Sequence, residues 1–180
     1  PLVKAPAWIS QLDLDWRNPS FAHLIEHLSR SHRVVRFDAR GNGLSDRGMP
    51  GLGFDLMVAD LHAVFDGDGV RRAPILAISQ GCAVAAAFAA RHPERVSAIV
   101  MIGGFALGRG KRRSAKDREQ AAAFQAMMRA GWDDAYPSLR ALMAETIVPL
   151  ASAEARRRFA EDMRAIIAPE TIAHYRAVLD

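Results

Sequence analysis

Apolar positions along this chain alternate between two kinds of run. Short stretches, Leu2-Val3-Lys4-Ala5, Arg33-Val34-Val35-Arg36-Phe37, Pro74–Ile78 and Val96–Ile102, have the length and composition of strands. Between them, apolar residues recur at helical spacing. Phe21, Leu24, Ile25 and Leu28 mark one helix; Phe54, Met57, Val58, Leu61, Val64 and Phe65 mark a second. Asn18-Pro19 reads as the start of the first, with asparagine at the N-cap and proline at the first helical position. A third helix, Gln80–Arg91, is rich in small residues and follows the strand 74–78 directly. Strands alternating with helices at this spacing predict parallel pairing through right-handed crossovers. The fold class is therefore α/β, a doubly wound and mostly parallel sheet. Such sheets carry their sites at the carboxyl ends of the strands.

After Gly104 the pattern changes, and from Ala115 to Leu179 no strand signal remains. Phe124, Met127 and Met128 mark a helix stopped by Gly131. Leu139, Leu142, Met143 and Ile147 mark the next. Phe159, Met163, Ile166 and Ile167 mark a third, and Pro169 opens a fourth carrying Ile172, Tyr175 and Leu179. The expected organisation is an α/β core over residues 1–104 and a helical cap over 105–180.

The chemistry concentrates at the junction of the strand 74–78 with the helix behind it. Ala77-Ile78-Ser79-Gln80-Gly81 places a serine on a sharp strand-to-helix turn, flanked two residues away on each side by small residues. Such a turn is strained and lifts the hydroxyl clear of the sheet. The helix that follows aims its first amides at the place where negative charge would develop. Ser79 is thus a candidate nucleophile and the amide of Gln80 a candidate oxyanion donor. Taken without its context, the same pattern also describes a serine N-cap.

A serine hydroxyl needs a base, and the base needs an orienting acid. After Ser79 the chain offers only His92 and His174. His92 lies thirteen residues on, roughly 20 Å along a helix, far beyond proton-transfer reach. It reads as a helix C-terminal residue favoured by the dipole. His174 falls within a predicted cap helix. His23, His27, His32 and His62 precede the serine, on helices or in loops. Two explanations compete: the base and acid lie beyond Asp180, in a longer protein of which this chain is a fragment, or the protein is truncated and non-catalytic; the first is the expectation.

Composition narrows the classes. The chain has 180 residues, 50% hydrophobic and 24% charged, enough for a real core. The net charge of +4 gathers in Arg109, Lys111, Arg112, Arg113, Lys116 and Arg118. No aromatic residues interleave with these cations, so the cluster reads as a solvated basic loop and not as a nucleic-acid surface. The single cysteine, Cys82, cannot form an internal disulfide, which suits a cytoplasmic location. No apolar run reaches transmembrane length. No cluster of cysteines and histidines suggests a metal, and Gly41-x-Gly43 lacks the third glycine of a dinucleotide site. No cofactor is expected.

Two motifs together resemble the α/β-hydrolase fold with a helical cap inserted after the strand beyond the nucleophile. One is Ala77-Ile78-Ser79-Gln80-Gly81, with alanine where the first glycine usually stands. The other is Asp38-x-Arg40-Gly41-x-Gly43-x-Ser45-Asp46, similar to a loop after an earlier strand of that fold. In this second loop the glycines permit unusual backbone angles, and Asp38 and Ser45 can bond loop amides, so its expected role is scaffolding. The opening Leu2–Trp8 together with Asp15-Trp16 also resembles a narrower group. These are hydrolase-like domains fused in bacteria to LuxR-type DNA-binding regions or to nucleotide-cyclase domains.

The resemblance implies a Ser-His-Asp triad and an oxyanion hole completed by an amide from the loop after the first strand. The family usually carries His-Gly there. This chain reads Ala5-Pro6-Ala7-Trp8, so by position the second donor is the amide of Ala7 or of Trp8. Met127, Met128, Trp132, Leu142 and Met143 are candidate lining residues of an apolar substrate pocket under the cap, although cap packing explains the same residues. The function implied is a carboxylic-ester-type hydrolase acting on a small molecule. A ligand-sensing module serving a fused regulatory domain is the alternative, and a cofactor-free perhydrolase would share the same triad.

Overall fold

A computed structural model describes residues 1–18, 21–47, 51–132 and 137–179. Four parallel strands form one sheet: β1 (Leu2–Lys4), β2 (Val34–Val35), β3 (Ala73–Ile78) and β4 (Val96–Ile102), in the spatial order β2-β1-β3-β4. Helix α1 (Ala22–Ser29) leads into β2, α2 (Phe54–Gly67) into β3, and α3 (Gly81–Arg91) into β4. The register runs Val3 to Ile75 and Lys4 to Leu76 on one side of β3, and Ile75 to Ile99 through Ile78 to Ile102 on the other. Every strand therefore ends on the same side, where Ser79 emerges. Val3, Ile75, Leu61, Phe65, Phe88 and Ala85 are fully buried between the sheet and the paired helices α2 and α3. Phe65 and Phe88 meet with ring centroids 4.9 Å apart, the tilted contact aromatic rings favour.

The strand expected over Arg33–Phe37 shrinks to Val34–Val35, and both residues are half-buried. It is the outer strand, paired only with the short β1. Arg36 then leaves the ladder, because its guanidinium bonds the Asp15 carboxylate and the Leu12 carbonyl. The opposite edge, β4, leaves Val100, Met101 and Ile102 half exposed. Helix α1 starts later than the sequence suggested: Phe21, not Asn18, is its N-cap, and the Asn18 carbonyl accepts from the Phe21 and Ala22 amides at 3.1 and 3.0 Å, while Pro19 lies outside the described residues.

All four helices anticipated after Gly104 are present: α4 (Ala115–Gly131), α5 (Pro137–Ile147), α6 (Ala153–Ile166) and α7 (Pro169–Leu179). Ser114 and Ser152 cap α4 and α6, their hydroxyls accepting from the Asp117 and Ala155 amides at 3.3 and 3.2 Å. Helix α6 buries Phe159, Ala160, Met163 and Ile166 on one stripe and turns its arginines and glutamates outward. Trp132 is 1% exposed and donates its indole N–H to the Ile167 carbonyl at 2.9 Å. The buried Arg140 donates to the carbonyls of Ala160 and Trp132. These side chains tie α4, α5 and α6 into a layer with its own interior.

The loop Asp38–Asp46 joins that layer to the sheet. The Gly43 amide donates to the Ile166 carbonyl at 2.7 Å, and the Arg47 guanidinium to the Ala165 carbonyl. The Tyr175 hydroxyl donates to the Arg40 carbonyl at 3.0 Å. Within the loop, Asp38 accepts from the Leu44 and Leu12 amides, and Ser45 donates to the Asp38 carbonyl. The expected scaffolding role is visible atom by atom. Gly43 has φ +54, and a Cβ there would fall 2.4 Å from the Asp38 carboxylate; one at Gly41 (φ +74) would fall 2.7 Å from Thr171 of α7.

Candidate active site

Ser79 sits between the last residue of β3 and the first turn of α3 with φ +54. A side chain at positive φ suffers contact between Cβ and the backbone, and a non-glycine residue is found there only where its surroundings hold it. The grip is identifiable. The Ser79 amide continues the ladder to the Ile102 carbonyl at 2.9 Å, and its carbonyl accepts from the Cys82 amide at 3.1 Å. The Cys82 thiol, buried, points at the carbonyls of Ala77 and Ile102 and so ties α3 to both strands. Gly104 leaves room for it, since a Cβ at that position would fall 2.8 Å from the Cys82 Cβ.

The small residues around the serine have separate causes. Ala77 is fully buried within the sheet. At Gly81 the crowding comes from the loop after β1, because a Cβ would stand 3.0 Å from the Pro6 carbonyl oxygen and 3.6 Å from the Ala5 Cβ. The Pro6–Ala7 peptide therefore lies against the first turn of α3. Ala7 is 6% exposed and Gln80 is 3% exposed. Among the described residues neither of their backbone amides donates a hydrogen bond. Buried N–H groups without partners are rare in folded proteins, and a pair beside a strained serine is the arrangement an oxyanion would satisfy. Trp8 is half-buried and packs against the core.

The loop that carries Ala7 has a support that sequence patterns did not reveal. Ile9 adopts φ +61, a conformation a β-branched residue strongly resists. Its amide donates to the Asn42 side chain at 3.3 Å, and Ser10 donates to the Ala7 carbonyl at 2.9 Å. Asn42 is fully buried. Ile9 and Ser79 are the two non-glycine residues at positive φ among the described residues, and the two segments they belong to meet at Gly81. The motif skips over Asn42 as a variable position, and nothing in the local sequence marks Ile9.

Beneath this loop is a buried charged group. Arg36 pairs with Asp15 at 3.2 Å and lies 5.0 Å above the Trp16 ring, which accounts for the Asp15-Trp16 pair noted in the sequence. Lys4 is 4% exposed, with its ammonium 5.5 Å from the Phe21 ring. Burial pushes the Lys4 ammonium below its usual range, against an opposing pull from Asp15. Burial pushes the Asp15 carboxyl up, with Lys4 and Arg36 acting the other way. It pushes Asp38 up as well, against the Leu44 and Leu12 amides.

The histidines lie elsewhere. His62 and His92 face each other with ring centroids 4.5 Å apart beside Phe88, and His92 closes the far end of α3. His174 is exposed, its Nδ1 3.1 Å from the Glu170 carbonyl. Among the described residues the Ser79 hydroxyl has no hydrogen-bond partner. No group of three histidine, cysteine or acidic side chains that could hold a metal ion occurs among them.

Two cavities adjoin Gln80. One, of about 300 Å³, lies over the strand ends and is lined by Phe54, Gln80, Ala83, Phe105, Leu107, Lys111 and Val178 among others. The other, of about 10 Å³, is bounded by Pro6, Asp60, Gln80 and Tyr175 among others. The five apolar cap residues named from sequence line neither. Met128, Trp132 and Met143 are buried in the interior of the helical layer, while Met127 and Leu142 are about half exposed.

The family model for the alpha/beta hydrolase fold matches residues 7–141, well over half of the chain. The chain belongs to the α/β-hydrolase fold family. It is similar to rhodomycin D methylesterase DnrP of Streptomyces peucetius, 37% identical over 81 residues, which are 43% of this chain and 27% of that protein. It is also similar to a non-heme chloroperoxidase of Streptomyces lividans, 32% identical over 103 residues, 57% of this chain and 36% of that one. Among solved structures, an esterase from Exiguobacterium antarcticum superposes with a TM-score of 0.77 at 18% identity, over 99% of this chain and 65% of that one. A bromoperoxidase from Bacillus anthracis superposes with a TM-score of 0.76 at 16% identity, with the same coverage. The chain thus spans about two thirds of those solved structures and matches about a third of the curated relatives. No helix among the described residues is long and apolar enough to cross a membrane.

Proposed function

We propose that this α/β-hydrolase is a serine hydrolase of small carboxylic esters in which Ser79 is the nucleophile. The observation that carries the reading is the strained Ser79, at φ +54 on the β3–α3 turn, beside two buried amides without partners. Ser79 Oγ attacks the ester carbonyl carbon as its proton passes to a base. The oxygen of the tetrahedral intermediate accepts from the amides of Gln80 and Ala7. Collapse expels the alcohol, which takes the proton from the base, and water then releases the acid by the same path. The base and its orienting carboxylate are proposed to come from sequence following residue 180 in the full-length protein, because the described residues place neither at Ser79. Residues 105–180 are proposed to act as the cap.

The relatives support this reading in part, since one is a methylesterase and two solved structures that share the fold are esterases. The test is turnover of p-nitrophenyl acetate by the full-length protein, with covalent labelling by a fluorophosphonate. Ser79→Ala is expected to abolish labelling and to lower turnover by about three orders of magnitude or more. Undiminished turnover in Ser79→Ala overturns the assignment. Ligand binding by a protein that neither turns over esters nor takes up the label indicates instead a sensing module.

A further inference from the structure

Asn42 stands where three segments meet, and the mechanism above does not use it. Its backbone is gripped by the helical layer. Asn42 forms an antiparallel bridge with Ile167, and the Gly43 amide beside it donates to the Ile166 carbonyl at 2.7 Å. On the other flank, a Cβ at Gly41 would fall 2.7 Å from the Thr171 methyl of α7. Its side chain holds different partners. Oδ1 accepts from the Ile9 amide at 3.3 Å, and Nδ2 donates to the Arg40 carbonyl at 3.4 Å. The Tyr175 hydroxyl of α7 donates to that same carbonyl at 3.0 Å. Asn42 and Tyr175 are both fully buried, so bulk water does not compete for these bonds.

Ile9 is the strained point of the loop that carries the Ala7 amide. At φ +61 a β-branched residue stays only where its surroundings hold it. Ser10 passes the constraint back to the Ala7 carbonyl. Resting on the serine-hydrolase reading, we propose that Asn42 is a positioning residue through which the helical layer sets the oxyanion hole. The layer fixes the Asn42 backbone and, through Tyr175, the carbonyl that the Asn42 carboxamide bonds. Asn42 in turn fixes Ile9, and with it the Ala7 amide. The hole is therefore complete only while the layer is seated on the loop Asp38–Asp46. A displacement of about 1 Å in a catalytic donor costs up to about a hundredfold in rate. The loss falls on kcat, because the Ala7 amide serves the charge that develops in the transition state.

The test measures p-nitrophenyl acetate turnover by the full-length protein, well below its Tm, in Asn42→Leu, Tyr175→Phe and the double variant. Phe159→Leu, in the interior of α6, is the control for lost stability. Asn42→Leu is expected to lower kcat about tenfold or more, with KM changed less than about twofold. Tyr175→Phe, which removes one hydroxyl, should lower kcat by about threefold or more, and the double variant should lie within about twofold of Asn42→Leu, because the two act in series. The Ki of 1,1,1-trifluoro-2-heptanone, whose hemiketal oxyanion occupies the hole, should rise by the factor that kcat/KM falls. Phe159→Leu should melt lower and keep its kcat. An unchanged kcat or Ki in Asn42→Leu overturns the proposal, and so do losses that simply multiply in the double variant. A like loss of kcat in Phe159→Leu assigns the effect to stability and overturns it too. Should Asn42→Leu fail to fold, Tyr175→Phe decides by the same kcat and Ki. A wild-type protein that neither hydrolyses the ester nor takes up fluorophosphonate overturns the hydrolase reading itself, whereas a labelled and active wild type with indifferent variants overturns this inference alone.

Discussion

Replacing Ser79 by glycine and by alanine separates the strain at the turn from the chemistry of the hydroxyl. Both substitutions remove the nucleophile, but only glycine removes the Cβ that makes φ +54 unfavourable. The left-handed conformation costs an L-residue roughly 1–2 kcal/mol. Glycine returns about 0.5–1 kcal/mol through the greater freedom of its unfolded chain. Ser79→Gly should therefore exceed Ser79→Ala in stability by about 0.5–1 kcal/mol. For a protein of this size or somewhat larger that is roughly 1–4 °C in Tm. Alanine should lie close to wild type, because the hydroxyl it removes has no partner among the described residues. Gly103 supplies the calibration. It has φ +62 with open space where a Cβ would go, so Gly103→Ala should lose about the amount Ser79→Gly gains. The assay is reversible thermal or urea unfolding of the four full-length proteins. Equal Tm values for Ser79→Gly and Ser79→Ala, with a measurable loss in Gly103→Ala, would refute the claim that the fold holds this serine under strain.

Other outcomes follow from the same contacts. Asn42→Ala leaves the Ile9 amide without its acceptor and is expected to cost about 1–3 kcal/mol in urea unfolding. It should lower kcat more than it raises KM, because the loop it anchors carries the Ala7 amide; an unchanged kcat would deny that link. Gly43→Ala forces a Cβ to 2.4 Å from the Asp38 carboxylate at positive φ, and a loss of about 2 kcal/mol or more in Tm-derived stability is expected. Lys4 bears on the pH dependence of stability. Its folded pKa lies below 10.5, so in the window beneath 10.5 the unfolded chain binds more protons and stability from this group rises with pH. The Tm of wild type relative to Lys4→Met should accordingly climb through that window, and a flat difference contradicts the assignment. Lys111 is the charged residue on the rim of the larger cavity. A p-nitrophenyl hemisuccinate should lose more kcat/KM than p-nitrophenyl butyrate in Lys111→Met, read in a chromogenic assay over a range of salt.

Sequence periodicity alone was enough for the architecture, because strands and helices differ in the spacing of their apolar residues. Leu61 and Phe65 of α2, Ile75 of β3 and Phe159 and Met163 of α6 are buried because their spacing puts them on one face, and the same spacing is legible in one dimension. Ser79 was legible for a related reason. A turn so sharp needs small neighbours close by in sequence, and Ala77 and Gly81 are there.

What one dimension could not carry is which distant segments press on that turn. Gly81 is required by the Pro6 carbonyl, seventy-five residues earlier, and Ile9 is held at φ +61 by Asn42. Two loops must meet in space before either constraint exists. The apolar cap residues show the converse. Met128, Trp132 and Met143 have the composition of a pocket wall, but their neighbours in the folded layer fill the space around them. The Gln80 Oε1, buried without a hydrogen-bond partner among the described residues, belongs to the same class of fact. Whether a buried polar atom is satisfied depends on every atom that packs around it, so only the tertiary structure decides it.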